Sequence, residues 1–203
     1  MIATSKKAAF DRLFAPLASV LVKHRVSPTA VTLAGLALSL ASCAYLLMTR
    51  RVAVFCWLIA ASALFDALDG AVARRGGRVT KFGAYLDAVC DRYVDAAVVL
   101  CAAIVTGYWV LSMVTLAGSM LVSYTKARAA MEVPISNCEW PDLMERMERG
   151  ALFVIGLLLG AVVPWRPGQH DLFWWTLVAL AVLTHGTVMQ RILRARRLIA
   201  SRS

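Results

Sequence analysis

Long apolar stretches without charged side chains constrain the fold of this chain most. One of them, residues 28–48, has the roughly 20 residues that a helix needs to cross a bilayer. Of the 203 residues, 60% are hydrophobic. Inside a bilayer, backbone polar groups must bond within the protein, so such segments cross as helices. We therefore expect one all-α domain, residues 1–203, built as a bundle of six transmembrane helices within residues 28–190.

The boundaries of these helices follow from hydropathy and from turn residues. Before the first span, residues 5–22 show an apolar face opposite Lys6, Lys7 and Arg12, which predicts an amphipathic juxtamembrane helix that can kink at Pro16. Ser27-Pro28 is a typical helix start. A basic tail, residues 191–203, follows the last span. The six spans are predicted at about 28–48, 52–73, 82–106, 108–125, 150–164 and 172–190.

The positive charge is distributed by topology. The net charge is +10, but the basic residues cluster between apolar segments and form no single patch, which argues against a nucleic-acid partner. With six spans, 18 Lys and Arg residues lie on the side of both termini and three lie on the other. The positive-inside rule then places both termini, and the site described below, on the cytoplasmic side of the cell membrane.

Four aspartates stand at the ends of two apolar segments. Asp66 and Asp69 are three residues apart and Asp87 and Asp91 are four apart, so each pair shares one helix face. One Asp at the centre of a membrane helix costs about 2.5–3.5 kcal/mol. The nearby bases are too few to neutralise four acids, whereas divalent cations would do so. Carboxylate oxygens favour Mg²⁺ or Mn²⁺, and the lack of matching His or Cys argues against zinc.

The aspartates belong to the pattern D-x2-D-G-x2-A-R-x8-G-x3-D-x3-D, which covers 26 residues from Asp66 to Asp91. This pattern resembles the signature of the CDP-alcohol phosphotransferase family. The resemblance implies a phospholipid synthase that transfers a phosphatidyl group from a CDP-diacylglycerol-type liponucleotide to a small alcohol and releases CMP. It also implies two divalent cations, Mg²⁺ or Mn²⁺, and a homodimer.

The resemblance assigns roles to residues of the motif and of the first span. Asp91 would be both a ligand and the general base that takes the proton of the alcohol. The metal ligands would be Asp66, Asp69, Asp87 and Asp91. The CDP-lipid contacts would be Thr29, Val31, Thr32, Asp69, Gly70, Ala73, Arg74, Thr80 and Gly83.

A second resemblance concerns the acceptor alcohol. Two stretches, Ser123-Tyr-Thr-Lys126-Ala-Arg128 and the paired Glu145-Arg146-Met-Glu148-Arg149, are similar to stretches of phosphatidylinositol-phosphate synthases and their archaeal ether-lipid relatives. The similarity implies an inositol 1-phosphate or 3-phosphate acceptor. Its phosphate would be held by Ser123, Lys126, Arg146 and Arg191. These charges are also what positive-inside topology alone would place there. Residues 134–143 depart from the family stretch, which leaves glycerol 3-phosphate, free inositol or another polyol open.

Two other functions fit a membrane protein with intramembrane acids. A divalent-cation transporter would need polar groups through the whole depth of the membrane, and the outer halves of the predicted spans carry almost none. A membrane assembly protein without chemistry gives no reason for the spacing of the four acids. The sequence therefore favours an enzyme.

Overall fold

The computed structural model describes residues 15–133 and 144–202, and within these ranges the protein is helical and has no strand. This confirms the all-α prediction. A short 3₁₀ turn, Pro167–Gln169, precedes the last helix. The α-helices are α1 Ala15–Lys23, α2 Pro28–Thr49, α3 Val52–Arg75, α4 Lys81–Thr106, α5 Trp109–Glu132, α6 Arg146–Val162 and α7 Leu172–Arg202.

Local sequence sets several helix boundaries. The Ser27 side chain accepts a hydrogen bond from the amide of Ala30 at 3.1 Å, and Pro28 occupies the first turn of α2, as the sequence predicts. Helix α2 ends at Thr49 and is capped by Arg50, whose φ of 56° is left-handed. Helix α4 ends before Gly107, whose φ of 78° is available to glycine at little cost. The connections from α2 to α3 and from α4 to α5 are therefore short, residues 50–51 and 107–108.

The structure corrects the boundaries of three predicted spans. Helix α5 continues past Thr125 to Glu132, and α7 continues through the predicted basic tail to Arg202. Helix α6 begins at Arg146, four residues early, because Glu145 and Glu148 form a capping box. Hydropathy marks where a helix leaves the apolar layer, but Ala, Arg and Leu continue the helix beyond it. Residues 5–14 of the predicted first helix lie outside the described residues, and α1 represents its remainder.

Four helices of the described ranges are long and apolar enough to cross a membrane: α2, α3, α5 and residues Leu172–Ser201 of α7. The protein is therefore a membrane protein. Helix α6 has 17 residues. Helix α4 carries Asp87, Asp91, Arg92 and Asp95 along its length, which lowers its mean hydropathy. These features explain why α4 and α6 do not stand out by length and apolarity.

The first compact unit ends at Val98 and contains α1, α2, α3 and the beginning of α4. Helix α1 packs on α3, and Ala18, Val31, Leu68 and Val72 form a buried core with Ala71. Helices α2 and α3 approach closely at Gly35, where an added Cβ would lie 3.0 Å from Cβ of Phe65. This packing fixes the register of α2 against the part of α3 that carries the acids.

The second compact unit begins at Val99 and contains the end of α4 together with α5, α6 and α7. Helix α7 packs against both α5 and α6. Small residues permit these approaches: a Cβ added at Gly118 of α5 would lie 2.8 Å from Cβ of Thr184, and one at Gly156 of α6 would lie 2.6 Å from Cβ of Thr176. Close backbone contact at small residues is typical of packed membrane helices.

Candidate active site

Helices α3 and α4 bring three carboxylates together. Asp66 and Asp69 lie one turn apart on α3, and Asp87 lies near the beginning of α4. One carboxylate oxygen from each lies within 4.8 Å of the other two. Asp69 is 6% exposed, and the other two are half-buried. Three acidic oxygens at this spacing repel one another, and they form the donor set that a hard divalent cation prefers.

The fourth predicted ligand, Asp91, lies one helical turn beyond Asp87. Among the residues that the structure describes, the close carboxylate cluster comprises Asp66, Asp69 and Asp87 and does not include Asp91. An oxygen of Asp91 lies 3.9 Å from Nη2 of Arg92, and the same nitrogen lies 3.2 Å from Oδ2 of Asp95. Asp91 is half-buried and lies on the same helix face as Asp87.

Helix α2 contributes a hydroxyl to the cluster. Oγ1 of Thr32 lies 2.5 Å from Oδ2 of Asp69 and donates a hydrogen bond to it, although the two residues are 37 positions apart. The same oxygen lies 3.2 Å from the carbonyl oxygen of Pro28. The sequence assigned Thr32 to the nucleotide and gave no signal for this contact, because no spacing rule relates residues on two different helices.

Arg74 folds back over Gly70, one turn earlier on α3. A Cβ added at Gly70 would lie 3.0 Å from Nη1 of Arg74 and 3.6 Å from its Cζ. The guanidinium group therefore occupies the surface that the missing side chain leaves open. Arg74 is exposed and Ala73 is half-buried. The glycine thus creates a place beside the carboxylates where a planar group can approach the helix backbone.

Three predicted nucleotide contacts, Thr80, Gly83 and Val31, have structural roles in this arrangement. Oγ1 of Thr80 accepts a hydrogen bond from the amide of Gly83 at 2.9 Å, which caps the beginning of α4. Val31 is 4% exposed and packs in the core of the first unit. Thr29, another predicted nucleotide contact on α2, is half-buried in the first turn of that helix. The sequence missed Thr80 as a cap, although a threonine three residues before Gly83 is a usual capping spacing.

The predicted acceptor residues lie in the second unit. Arg191 of α7 is 4% exposed, and its Nη1 donates to the carbonyl of Val122 on α5, next to Ser123. Ser123, Lys126 and Arg146 are half-buried. Arg149, the last residue of the paired Glu-Arg stretch, received no role from the sequence; it is 6% exposed and donates to the carbonyl of Met144 at 3.0 Å. Arg149 therefore anchors the segment that leads into α6.

Comparison with known proteins gives consistent results. The family described as CDP-alcohol phosphatidyltransferase matches residues 25–186. The chain is 34% identical over 193 residues to a phosphatidylinositol phosphate synthase of Corynebacterium glutamicum, covering 89% of this chain and 82% of the relative. It is 32% identical over 195 residues to an archaetidylinositol phosphate synthase of Pyrococcus horikoshii, covering 94% and 93%.

Solved structures show the same similarity. The crystal structure of Mycobacterium tuberculosis phosphatidylinositol phosphate synthase with CDP-DAG bound matches with a TM-score of 0.78 and 30% identity, over 91% of this chain and 94% of that one. The same enzyme in complex with manganese and citrate matches with a TM-score of 0.77 and 29% identity, over 90% and 88%. The motif, the fold and these matches agree, and the chain is an enzyme that belongs to the CDP-alcohol phosphatidyltransferase family.

Proposed function

We propose that this enzyme transfers a phosphatidyl group from CDP-diacylglycerol to an inositol phosphate, giving phosphatidylinositol phosphate and CMP. The observation that carries the proposal is the cluster of three carboxylate oxygens within 4.8 Å on α3 and α4. The relatives named as phosphatidylinositol phosphate synthases and the match to a structure with CDP-DAG bound support the donor and the acceptor.

Asp66, Asp69, Asp87 and Asp91 are the proposed ligands of two divalent cations, Mg²⁺ or Mn²⁺. The donor set fits, because carboxylate oxygens are hard ligands and Asp66, Asp69 and Asp87 are already close together. When bound, the cations would offset the charge of the acids and of the substrate diphosphate and would favour displacement at phosphorus. The manganese in the structure of the Mycobacterium tuberculosis relative supports this assignment.

The protein residues have distinct proposed roles in the transfer. An oxygen of the acceptor alcohol bonds to the phosphorus on the lipid side, and the bond from that phosphorus to the oxygen of CMP breaks. The proton of the alcohol passes to a carboxylate oxygen of Asp91 as general base. Gly70 would let the nucleotide approach α3, and Arg74 would move from its position over Gly70 to hold a phosphate bidentately. The other proposed donor contacts are Thr29, Val31, Thr32, Asp69, Ala73, Thr80 and Gly83.

Ser123, Lys126, Arg146 and Arg191 are the proposed ligands of the phosphate on the acceptor. Their cationic and hydroxyl groups suit a phosphate monoester. The contact of the buried Arg191 guanidinium with the carbonyl of Val122 supports the proposal, because Val122 precedes Ser123 on α5.

We also propose a topology and an assembly. One domain of six spans, α2 to α7, would place both chain ends and the carboxylates on the cytoplasmic side of the cell membrane. Helix α1 would lie in the interface as an amphipathic helix. The proposed cytoplasmic side carries 18 Lys and Arg residues and the other side carries three, which supports this orientation. The enzyme would act as a homodimer, as the family resemblance implies.

An assay of CMP release tests the proposed function. The purified enzyme in lipid nanodiscs is given radiolabelled CDP-diacylglycerol, Mg²⁺ or Mn²⁺, and one acceptor at a time: inositol 1-phosphate, inositol 3-phosphate, glycerol 3-phosphate or free inositol. We expect metal-dependent release with an inositol phosphate and a labelled phosphatidylinositol phosphate product. Preference for glycerol 3-phosphate or free inositol would refute the proposed acceptor. Absence of CMP release with every acceptor would refute the proposed reaction.

A further inference from the structure

The hydroxyl of Thr32 links α2 to the carboxylate cluster on α3 and α4. It lies 2.5 Å from Oδ2 of Asp69 and 3.2 Å from the carbonyl oxygen of Pro28. A helical threonine usually directs its hydroxyl back to the carbonyl four residues earlier, which here is Pro28. A hydrogen bond to a carboxylate is shorter and stronger than one to a neutral carbonyl. The distances therefore make Asp69 the better acceptor of the single hydroxyl proton.

Asp69 needs such a donor more than its neighbours do. It is 6% exposed, whereas Asp66 and Asp87 are half-buried. A carboxylate bound at one oxygen loses its freedom to rotate about its terminal bond, so its remaining lone pairs point in fixed directions. Carboxylates that ligate metals are commonly held in this way by a group that does not itself touch the metal, and loss of such a group usually weakens metal binding or activity.

The packing of α2 on α3 holds this hydrogen bond in register. Val31, next to Thr32, and Leu68, next to Asp69, share the buried core of the first unit. The absence of a side chain at Gly35 lets α2 pack closely on α3, since an added Cβ would lie only 3.0 Å from Cβ of Phe65. The cap by Ser27 fixes the first turn of α2, and Thr32 follows in the next turn. The hydroxyl is thus held beside Asp69 by its surroundings.

We propose that Thr32 is a positioning residue that orients the Asp69 carboxylate toward a divalent cation. This inference rests on the proposed metal site, and it gives Thr32 a role that precedes nucleotide binding. A threonine that only contacted the nucleotide would affect substrate binding and leave metal binding unchanged. A threonine that positions Asp69 affects metal binding in the absence of any substrate.

Manganese titration of the full-length parent protein, two Thr32 variants and one control variant tests the inference. Binding of Mn²⁺ is followed by the loss of the EPR signal of the free ion, without nucleotide or acceptor. Thr32→Val keeps the shape of the side chain and removes the hydroxyl, and we expect it to weaken Mn²⁺ binding about 10–100-fold. Thr32→Ser restores the hydroxyl, and we expect binding close to that of the parent protein. Thermal unfolding of each variant in chelator monitors the fold.

Thr49→Val is the matched control. Thr49 lies at the other end of α2, is exposed, and donates to the carbonyl of its own helix at Tyr45 at 2.8 Å. We expect it to bind Mn²⁺ as the parent does. Mn²⁺ binding by Thr32→Val at parental strength, with a raised KM for CDP-diacylglycerol, would overturn the inference. Equal weakening in Thr32→Val and Thr32→Ser would also overturn it. A parent protein that binds no Mn²⁺ would overturn the proposed metal site as well, which separates the two failures.

Discussion

At the scale of single residues, the site depends on the different surroundings of four similar side chains. Asp69 is buried and accepts a hydrogen bond from the hydroxyl of Thr32. Carboxylate oxygens of Asp66 and Asp87 lie within 4.8 Å of an oxygen of Asp69. Asp91 lies one turn further along α4, with Arg92 at 3.9 Å. The two proposed roles of Asp91 use both of its oxygens: one would bind a cation, and the other would take the proton of the acceptor alcohol.

Asp91→Asn tests that role. The amide keeps the size of the side chain but cannot take the proton of the acceptor, so we expect turnover to fall about 10²–10⁴-fold. CMP release is measured at saturating substrate and metal, and thermal unfolding should remain unchanged. Asp95→Asn is the control, because Asp95 lies one turn further and pairs with Arg92 at 3.2 Å. We expect a much smaller loss there. An active Asp91→Asn enzyme would exclude Asp91 as the base.

Gly70→Ala separates substrate binding from folding. An added Cβ would lie 3.0 Å from Nη1 of Arg74, the far end of a flexible side chain that can move away. Alanine favours a helix over glycine by about 1 kcal/mol, so stability should hold or rise. The nucleotide would lose its close approach to α3, so the KM for CDP-diacylglycerol should rise. Gly186→Ala is the control, since no heavy atom lies within 4 Å of its added Cβ. An unchanged KM in Gly70→Ala would contradict the proposed nucleotide position.

At the scale of helices, small residues determine how closely the elements pack. Gly35 permits the approach of α2 to α3, and Gly118 permits that of α5 to α7. Lipid gives little hydrophobic drive for helix association, so close backbone contact supplies much of the packing energy. An added methyl group at such a contact meets a neighbouring helix that cannot yield without a shift of its backbone.

Gly118→Ala should therefore destabilise the second unit. Its Cβ would lie 2.8 Å from Cβ of Thr184, a branched side chain on the packed face of α7, and overpacking of this kind typically costs about 1–3 kcal/mol. We expect a lower midpoint of thermal unfolding in detergent. Gly150→Ala on α6, whose added Cβ meets no heavy atom within 4 Å, should leave the midpoint unchanged. Equal midpoints for both variants would show that the α5 contact at Gly118 carries no packing energy.

The helical period explains which parts of the site were predictable. Residues three apart on one helix share a face by geometry, so the sequence could pair Asp66 with Asp69 and expect Asp87 opposite them. The Thr32 contact depends instead on how closely α2 and α3 pack, and no spacing in one chain segment encodes that distance. Helix ends beyond the apolar stretches were also missed, because hydropathy reports the membrane boundary and the helix formers of α7 continue past it.

At the scale of the whole molecule, charge and hydropathy bear on how the chain crosses the membrane. Four described helices are long and apolar enough to span it, and α4 and α6 would complete the six of the proposed topology. The acids of α4 lower its apolar character, but a bound cation would offset their cost. A cation bound between these acids would therefore favour α4 as one of the six proposed spans.

Accessibility of introduced cysteines tests this topology. In a background without the native cysteines, Arg166→Cys should react with a membrane-impermeant maleimide on intact cells, and Arg197→Cys should react only after permeabilisation. Arg166 precedes α7 and Arg197 lies near its end, beyond the predicted span 172–190, so a single crossing separates them. Arg50→Cys, after α2, should behave like Arg166→Cys. Reaction of Arg166→Cys only in permeabilised cells would mean that α6 does not cross.

Anomalous diffraction from crystals soaked in Mn²⁺ tests the metal site most directly. The acids on α3 and α4 are tolerable in a membrane protein if cations bind between them. We expect anomalous peaks within ligand distance of Asp66, Asp69 and Asp87 in the parent protein, and their loss in Asp69→Asn. Absence of any peak at these carboxylates in the parent protein, or a peak that persists when Asp69 is neutralised, would contradict the proposed metal site and the chemistry inferred from it.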